Sequence, residues 1–359
     1  MKESVRRKNS IENLYRYVTM KNVSAYKMEE SAVNIYDSAK LAGVSIATVS
    51  RVVNDSPKVS EKTKEKVRRV MEENSYTPNA FARGLGLDTM HLVGIVCPDA
   101  GKPHMAVMIS GLEKNLGSHG YGCILSCSGY GTEEKQKAIE EMLQRKIDAL
   151  ILIGAEYADG RLAGIGAAAK ELPVFLLNGC VENKDVYCVF PDEFQAVYDV
   201  TQELLMAGRK KILFLGNAGE GQTDQRRGYE AALEDCGCAA GERLVIESER
   251  GILAARDQLF KSREQEFDAV IAADDSLAAG ALKFAAVKGR KVPEEVCIVG
   301  FYNSELAVSC EPELSSVDNR AEAVCRIAVE QLMAVFAGEA VLKRRKLKCH
   351  LEKRGTTDF

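Results

Sequence analysis

Side chains that could recognise another molecule are concentrated in one short stretch, "AGVSIATVSRVVND", at residues 42–55. Spacings of three and four residues predict a short helix here, through Val44, Ala47, Thr48, Arg51 and Val52. Its polar tips belong to Ser45, Thr48, Ser50, Arg51 and Asn54. A guanidinium can donate two hydrogen bonds to one guanine, and hydroxyls reach phosphates or bases. The stretch therefore indicates contact with nucleic acid, with an ordinary helical hairpin as the alternative.

Three short helices are predicted to position these side chains. They cover about residues 36–42, 46–53 and 61–74, with Ser45 and Ser60 as N-caps and Gly43 in the first turn. The first two have the arrangement of a helix-turn-helix, in which the second helix enters the major groove. The side chains at its amino end are then those of Ser45, Ile46, Ala47 and Thr48, with Arg51 one turn further.

The charge distribution agrees with a polyanionic partner for this part of the chain. The 359 residues carry a net charge of −4, but residues 1–90 hold 16 Lys and Arg against 11 Asp and Glu. The remainder is acidic, and a basic head on an acidic body favours nucleic acid binding by the head. Residues 1–33 show no helical or strand-like periodicity and are predicted to be a tail.

Cysteine usage and hydropathy indicate a cytoplasmic protein. Most of the eleven cysteines lie in apolar runs, such as Cys97 and Cys297, which is typical of buried thiols in a reducing compartment. Two close pairs, Cys123 with Cys127 and Cys236 with Cys238, lack the further ligands of a zinc site, so no metal is expected. We find neither a signal peptide nor a membrane-spanning run, so no membrane partner is expected.

From residue 91 onward, apolar strands alternate with helices. This pattern predicts an α/β fold with doubly wound parallel sheets covered by helices on both faces. Two such runs suggest two lobes, about 90–190 with 319–340, and 191–317 with 341–357. Ligands of such sheets bind beyond the carboxyl ends of the strands, so the cleft between the lobes is the expected small-molecule site.

The possible catalytic patterns in the sequence are incomplete. "GNAGEGQTD" at 216–224 lacks the Gly-Lys-Ser/Thr end of a phosphate loop. Asp274 and Asp275 are adjacent acids without a nucleophile or base, and Asp275 is better explained as a helix N-cap. The four histidines are scattered and receive no role. We therefore expect neither an enzyme nor a cofactor.

The stretch at 42–55 and the following "VSEKTKEKVRRVMEENSYTPNAFARGL" closely resemble the head and hinge of the lactose-repressor (LacI/GalR) family of bacterial transcription regulators. Weaker motifs continue the resemblance to about residue 357, among them "VGIVCPD", "IDALILIG" and "VPEEVCIVGF". The resemblance implies a lambda-repressor-like head at 34–75, a hinge helix and linker at 76–89, and a periplasmic-binding-protein-like body at 90–357. It further implies DNA contacts by Ile46, Ala47 and Arg51, and by Ser45, Thr48, Ser50, Asn54, Tyr76, Asn79, Ala82, Arg83 and Leu85, the leucine acting as a minor-groove wedge.

The resemblance also implies an effector pocket, at which this sequence departs from the family. The candidate effector-binding residues are Asp99, Gln225, Arg226, Asp274, Tyr302, Asn303 and Asn319. Asp274 stands where the family usually has Asn, Tyr302 where a sugar-binding Asp is typical, and Gln225 where an Arg is usual. The effector is therefore left open between a sugar or sugar derivative, another small molecule, a protein partner and no effector at all.

The function implied is that of a dimeric repressor on a near-palindromic operator, with allosteric control through the body. No leucine heptad follows the body, so a tetramer built by a terminal coiled coil is not expected. One alternative keeps the DNA-binding role but has a decayed pocket and a protein partner. A second is a small-molecule binding protein without DNA function.

Overall fold

The computed structural model describes residues 34–53, 56–74, 89–158, 162–219, 223–238, 243–262 and 266–359. The chain divides into two compact units, Met1–Met90 and His91–Phe359. We call the described part of the first unit the head and the second unit the body.

The head consists of three helices, α1 (Ile35–Ala42), α2 (Ile46–Val53) and α3 (Glu61–Glu73). Asn34 begins α1 in a capping box with Asp37, and Gly43 ends it in the left-handed conformation at φ 61°. The predicted cap at Ser45 is confirmed, because its hydroxyl accepts from the backbone N–H of Thr48 at 3.1 Å. Ser60 is the N-cap residue of α3, as predicted, but its hydroxyl contacts that of Thr63 at 2.9 Å and accepts no backbone N–H, so the side-chain cap is absent.

The body alternates strands and helices, as the apolar pattern predicts. Its strands are β1 (Leu92–Cys97), β2 (Gly122–Cys127), β3 (Ala149–Ile153), β4 (Val174–Leu177), β5 (Val186–Pro191), β6 (Ile212–Asn217), β7 (Leu244–Ser248), β8 (Ala269–Ala272), β9 (Cys297–Phe301), β10 (Ser315–Asp318), β11 (Arg344–Leu347) and β12 (His350–Glu352). Its helices are α4 (Pro103–Ser118), α5 (Thr132–Leu143), α6 (Ala163–Glu171), α7 (Glu193–Met206), α8 (Asp224–Asp235), α9 (Ile252–Lys261), α10 (Asp275–Lys288), α11 (Glu305–Ser309) and α12 (Ala321–Phe336), with a 3₁₀ turn at Ala155–Tyr157.

These strands form two six-stranded sheets, which define two lobes. The first lobe has the order β11-β5-β4-β3-β1-β2 and is parallel throughout. The second lobe has the order β12-β10-β9-β8-β6-β7, with only the β10–β12 pair antiparallel. Strands such as β3 and β4 are buried at every residue, because helices cover both faces of the sheet. The predicted α/β fold with doubly wound parallel sheets is confirmed.

The chain crosses between the lobes three times, after β5, after β10 and after β11. The first and third crossings touch, since the Asp192 backbone N–H donates to the Leu347 carbonyl at 2.8 Å and Lys346 pairs with Asp192 at 3.1 Å. The sequence pattern predicts that all of 341–357 belongs to the second lobe. That assignment is wrong for β11, which extends the first sheet beside β5, and only β12 joins the second.

Buried thiols are found where the apolar runs predict them. Cys97 and Cys297 are buried, whereas Cys127 and Cys236 are exposed. Among the described helices, none is both long enough and apolar enough to cross a membrane.

Candidate functional site

The second helix of the head is fixed by its inner face. Val49 and Val52, on that face of α2, are 0% and 3% exposed. They pack against Ala39 and Ala42 of α1 and against Val67 of α3. Because apolar side chains occupy one side of the helix, its opposite side is turned to solvent. The three-helix core therefore holds α2 as a rigid support for the side chains on its outer face.

The outer face carries the side chains singled out from the sequence. Ser45, Ile46, Ala47 and Arg51 are exposed, and Thr48 and Ser50 are half-buried. Ile46 leaves 41% of its surface exposed, so this face also offers an aliphatic side chain for contact.

Two of these polar groups, the hydroxyls of Ser45 and Thr48, form contacts within the head. The Ser45 and Thr48 hydroxyls lie 2.9 Å apart, and Ser45 also caps the helix. Arg51, at the other end of the helix, is the exposed cation of this face. The remaining residues predicted to contact DNA lie outside the described residues, namely Asn54, Tyr76, Asn79, Ala82, Arg83 and Leu85.

In the body, the carboxyl edges of the two sheets face one another across a cleft, and side chains bridge it at two places. The first bridge, the stacked contact, joins His104 of α4 to Tyr302, which follows β9. Their ring centroids are 4.1 Å apart with planes inclined by 20°. Tyr302 has a positive φ of 90°, a strained conformation for a tyrosine. Its backbone N–H donates to the Val317 carbonyl at 2.8 Å, which helps to hold that conformation.

The stacked contact is made by a neutral imidazole. Burial lowers the pKa of His104 from 6.5 to about 4, with a smaller contribution in the same direction from Lys102. Asp274 and Asp99 oppose this shift but do not overcome it. At neutral pH the ring is therefore uncharged and stacks as an aromatic surface.

The second bridge, the cation contact, joins Arg250 of the second lobe to Tyr130 of the first. The guanidinium carbon lies 3.7 Å from the ring centroid, within the range of a cation–π interaction. Glu156, in the 3₁₀ turn after β3, is half-buried, and burial raises the pKa of its carboxyl group against the attraction of Arg250 and Lys135. Lys135 donates to the Glu156 carbonyl at 2.7 Å.

Asp274, predicted to bind effector, has a structural role. Its carboxylate accepts from the backbone N–H of Leu277 at 2.8 Å, so Asp274 is the N-cap of α10. The predicted cap at Asp275 is therefore wrong by one residue. Asp275 accepts instead from the backbone N–H and hydroxyl of Ser304 and from the Ser316 hydroxyl, at 2.6–2.7 Å.

Other predicted effector-binding residues also have partners within the chain. Asn303 accepts from Arg354 at 2.7 Å, and Gln225 donates to Glu193 at 3.0 Å. Asp99 accepts from the backbone of Gly101 at 2.9 Å.

Arg226 pairs with Glu230 at 2.9 Å and Glu247 at 3.2 Å. It lines a small pocket at the carboxyl edge of the second sheet, together with Phe214, Gly216, Asn217, Thr223, Val245, Glu247 and Ala273.

Asn319 differs from the rest of this set. It lies at the second lobe crossing and is only 1% exposed, yet neither its Oδ1 nor its Nδ2 has a hydrogen-bond partner. A buried amide without partners costs free energy, so this position favours a polar guest or water.

Sequence reasoning missed four residues of the cleft: Tyr130, Glu156 and Arg250, and also His104, to which it gave no role. Each follows the carboxyl end of a strand, β1 for His104, β2 for Tyr130, β3 for Glu156 and β7 for Arg250. That position was the available signal. Within the described part of the chain, no three side chains of the metal-ligating types are grouped as a metal site.

The sequence matches two family patterns. Residues 34–79 match "Bacterial regulatory proteins, lacI family", and residues 90–344 match "Periplasmic binding proteins and sugar binding domain of LacI family". An HTH-type transcriptional regulator of Lachnoclostridium phytofermentans is 41% identical over 333 residues, which cover 91% of this chain and all of that protein.

Two solved structures extend the comparison. A Lac repressor dimer bound to operator and the anti-inducer ONPF has a TM-score of 0.80 at 23% identity, covering 91% of this chain and 99% of that one. A complex of the transcriptional regulator CelR with cellobiose has a TM-score of 0.64 at 26% identity, covering 90% and 99%. The helix-turn-helix head, the two-lobed body and these matches together place the chain in the lacI family of bacterial transcription regulators.

Proposed function

We propose that this regulator binds a near-palindromic operator as a homodimer in the cytoplasm and represses transcription. The observation that supports it best is the outer face of α2, where Ser45, Ile46, Ala47 and Arg51 are exposed on a helix fixed by Val49 and Val52. A fixed helix that presents short side chains and one guanidinium suits direct readout in the major groove. Two heads related by two-fold symmetry would read the two halves of the site.

Selection of bound sequences from random duplex DNA at two salt concentrations tests this proposal. We expect a near-palindromic sequence that persists at the higher salt, because base contacts are less dependent on salt than phosphate contacts. Arg51→Ala should relax the preference at one base position, at a cost of roughly 1–3 kcal/mol. Arg69→Ala is the matched control, an exposed arginine on α3. It should leave the base preference unchanged, whereas equal loss on random DNA for both variants would contradict base readout by Arg51.

We further propose that a small molecule in the cleft between the lobes controls DNA binding. Asn319 supports this, as a buried amide with unpaired donor and acceptor at the lobe crossing. Such a group is suited to a ligand that both donates and accepts hydrogen bonds, as a sugar or sugar derivative does. Calorimetry with a panel of monosaccharides, disaccharides and sugar phosphates is the test, with Asn319→Leu expected to lose binding without loss of fold.

A second candidate is a regulator whose cleft takes no ligand and which a protein partner controls. The stacked contact and the cation contact favour it, because side chains of the chain itself already bridge the cleft. In addition, Asp274 and Asn303 are engaged within the body. Absence of heat with every sugar, together with a partner that changes operator affinity, would favour this alternative.

A further inference from the structure

Two thiols lie side by side at the carboxyl ends of neighbouring strands in the first lobe. Cys97 is the last residue of β1 and Cys127 the last residue of β2, and the two are register partners in the parallel ladder. Adjacent strands lie about 4.8 Å apart, and a disulfide needs Cα atoms roughly 4.4–6.8 Å apart. Cys127 is also close enough to Cys97 to raise the pKa of the Cys97 thiol. The backbone therefore already holds the two residues at the spacing of a disulfide.

The place of this pair in the sheet favours formation of a bond between them. β2 is the edge strand of the first sheet, so its end is paired on one side only and can adjust. Cys127 is exposed, whereas Cys97 is buried. An oxidant therefore meets Cys127 first, with a second thiol directly beneath it.

We propose that Cys97 and Cys127 form a reversible disulfide on exposure to a peroxide. The Cys127 thiolate attacks one peroxide oxygen, so that an S–O bond forms, the O–O bond breaks and hydroxide leaves to become water. The Cys97 sulfur then attacks the Cys127 sulfur, forming the S–S bond as the S–O bond breaks, and its proton leaves with the second hydroxide as water. Two thiols lose two electrons, and one hydrogen peroxide becomes two water molecules.

The two thiols react in different steps of this oxidation. Burial, with the neighbouring Cys127, raises the pKa of Cys97 to about 12, so Cys97 stays protonated and does not react first. Cys97 therefore acts only in the second step, in which its proton leaves as its sulfur attacks the oxidised Cys127.

A disulfide between Cys97 and Cys127 would affect residues that line the cleft. The Ser128 backbone N–H donates to the Cys97 carbonyl at 2.9 Å, and the Ser128 hydroxyl lies 2.6 Å from that of Tyr157. Tyr130, three residues beyond Cys127, makes the cation contact with Arg250. A bond that draws the end of β2 towards β1 therefore acts on a segment that bridges the two lobes.

Three other cysteines serve as comparisons. Cys123 lies on the same strand and face as Cys127, but its register partner is Val93, so it has no thiol opposite it. Cys180 and Cys188 also contact each other, but Cys188 is buried and Cys180 is half-buried, so neither is exposed as Cys127 is.

Peptide mapping of the full-length protein tests the proposal. Reduced protein is treated with graded hydrogen peroxide, alkylated and digested with trypsin, which leaves Cys97 in peptide 84–114 and both Cys123 and Cys127 in peptide 115–135. We expect a cross-linked pair of these peptides, lighter by two hydrogens than their sum, which disappears on treatment with dithiothreitol. The Cys123→Ser variant should retain it, and Cys127→Ser should lose it with an unchanged melting temperature.

Two results would overturn the proposal. One is a cross-link that survives in Cys127→Ser, which would place the bond at Cys123. The other is wild-type protein in which Cys127 is oxidised to sulfinic acid while Cys97 remains fully alkylatable after unfolding, because the two thiols would then not have reacted with each other.

Discussion

Acidification should destabilise the body through one imidazole, that of His104. The folded ring has a pKa of about 4, against 6.5 for an exposed histidine. The unfolded state therefore binds a proton below about pH 6.5 that the folded state accepts only near pH 4, and stability falls as the pH is lowered through this window. The contribution is fully present above about pH 6.5.

The magnitude follows from the two pKa values. At about pH 5 an unfolded His104 is almost fully protonated and the folded ring is almost fully neutral, which lowers the free energy of unfolding by about 2 kcal/mol relative to pH 7.5. This is an upper value, since the ring is only half-buried in the structure and water screens part of the interaction. Asp274, Asp99 and Lys102 face the imidazole, and their charges are included in its pKa.

Two measurements test this reasoning. The chain has four histidines, so the ring signals in an NMR titration are few, and His104→Phe identifies the one that matters. Urea unfolding of wild type and His104→Phe at both pH values then isolates the contribution, because phenylalanine retains the stacking on Tyr302 but binds no proton. We expect wild type to lose more than the variant on acidification, by at most about 2 kcal/mol.

The reasoning would be refuted by a His104 signal that titrates near pH 6.5, which would mean that the ring is solvated and the stacked contact absent. Equal pH dependence of wild type and His104→Phe would refute it as well. Tyr302→Ala provides the converse check, because exposing the imidazole should raise its pKa towards 6.5.

Three further substitutions test the packing that positions the two sites. Val49→Ala should lower the free energy of unfolding of the head by roughly 2 kcal/mol, because it removes two fully buried methyl groups, whereas Ile46→Ala on the exposed face should change it little in the same urea titration. Asp275→Asn should cost roughly 1–3 kcal/mol, since a buried carboxylate accepts three hydrogen bonds from two serines, and a thermal melt showing no change would contradict the importance of that network. Gly280→Ala should destabilise the body by roughly 1–3 kcal/mol, because the added carbon would lie 2.6 Å from a carbonyl and a methyl group of α9. Gly117→Ala, a helical glycine with open space around it, should instead raise the melting temperature slightly.

How far the sequence anticipates the structure depends on the range of the interactions. The bounds of α2 and the cap at Ser45 follow from neighbours within four residues, and both were predicted. The cap of α10 was misplaced by one residue, because either of two adjacent aspartates satisfies the local pattern. Burial decided between them, since Asp275 is held by two serines 29 and 41 residues away.

The cleft could be predicted even less well, because its contacts join residues that are far apart in the chain. The stacked contact joins residues nearly 200 positions apart, and no periodicity connects His104 with Tyr302. Similarly, the prediction for β11 named the wrong sheet. The sequence of this strand is compatible with the edge of either sheet, and the position of the third crossing decides which sheet it joins.

The three crossings have a consequence for how the body is made in the cell. The core of the first lobe includes Val324, Ala328 and Leu332, which are synthesised only after the whole second lobe up to β10. The outer strand of each sheet comes later still, with β11 and β12. The core of the first lobe therefore stays incomplete while the ribosome synthesises the second lobe. A chain that stops just before residue 321 lacks α12, β11 and β12, so termination there leaves two incomplete lobes and not one finished and one missing.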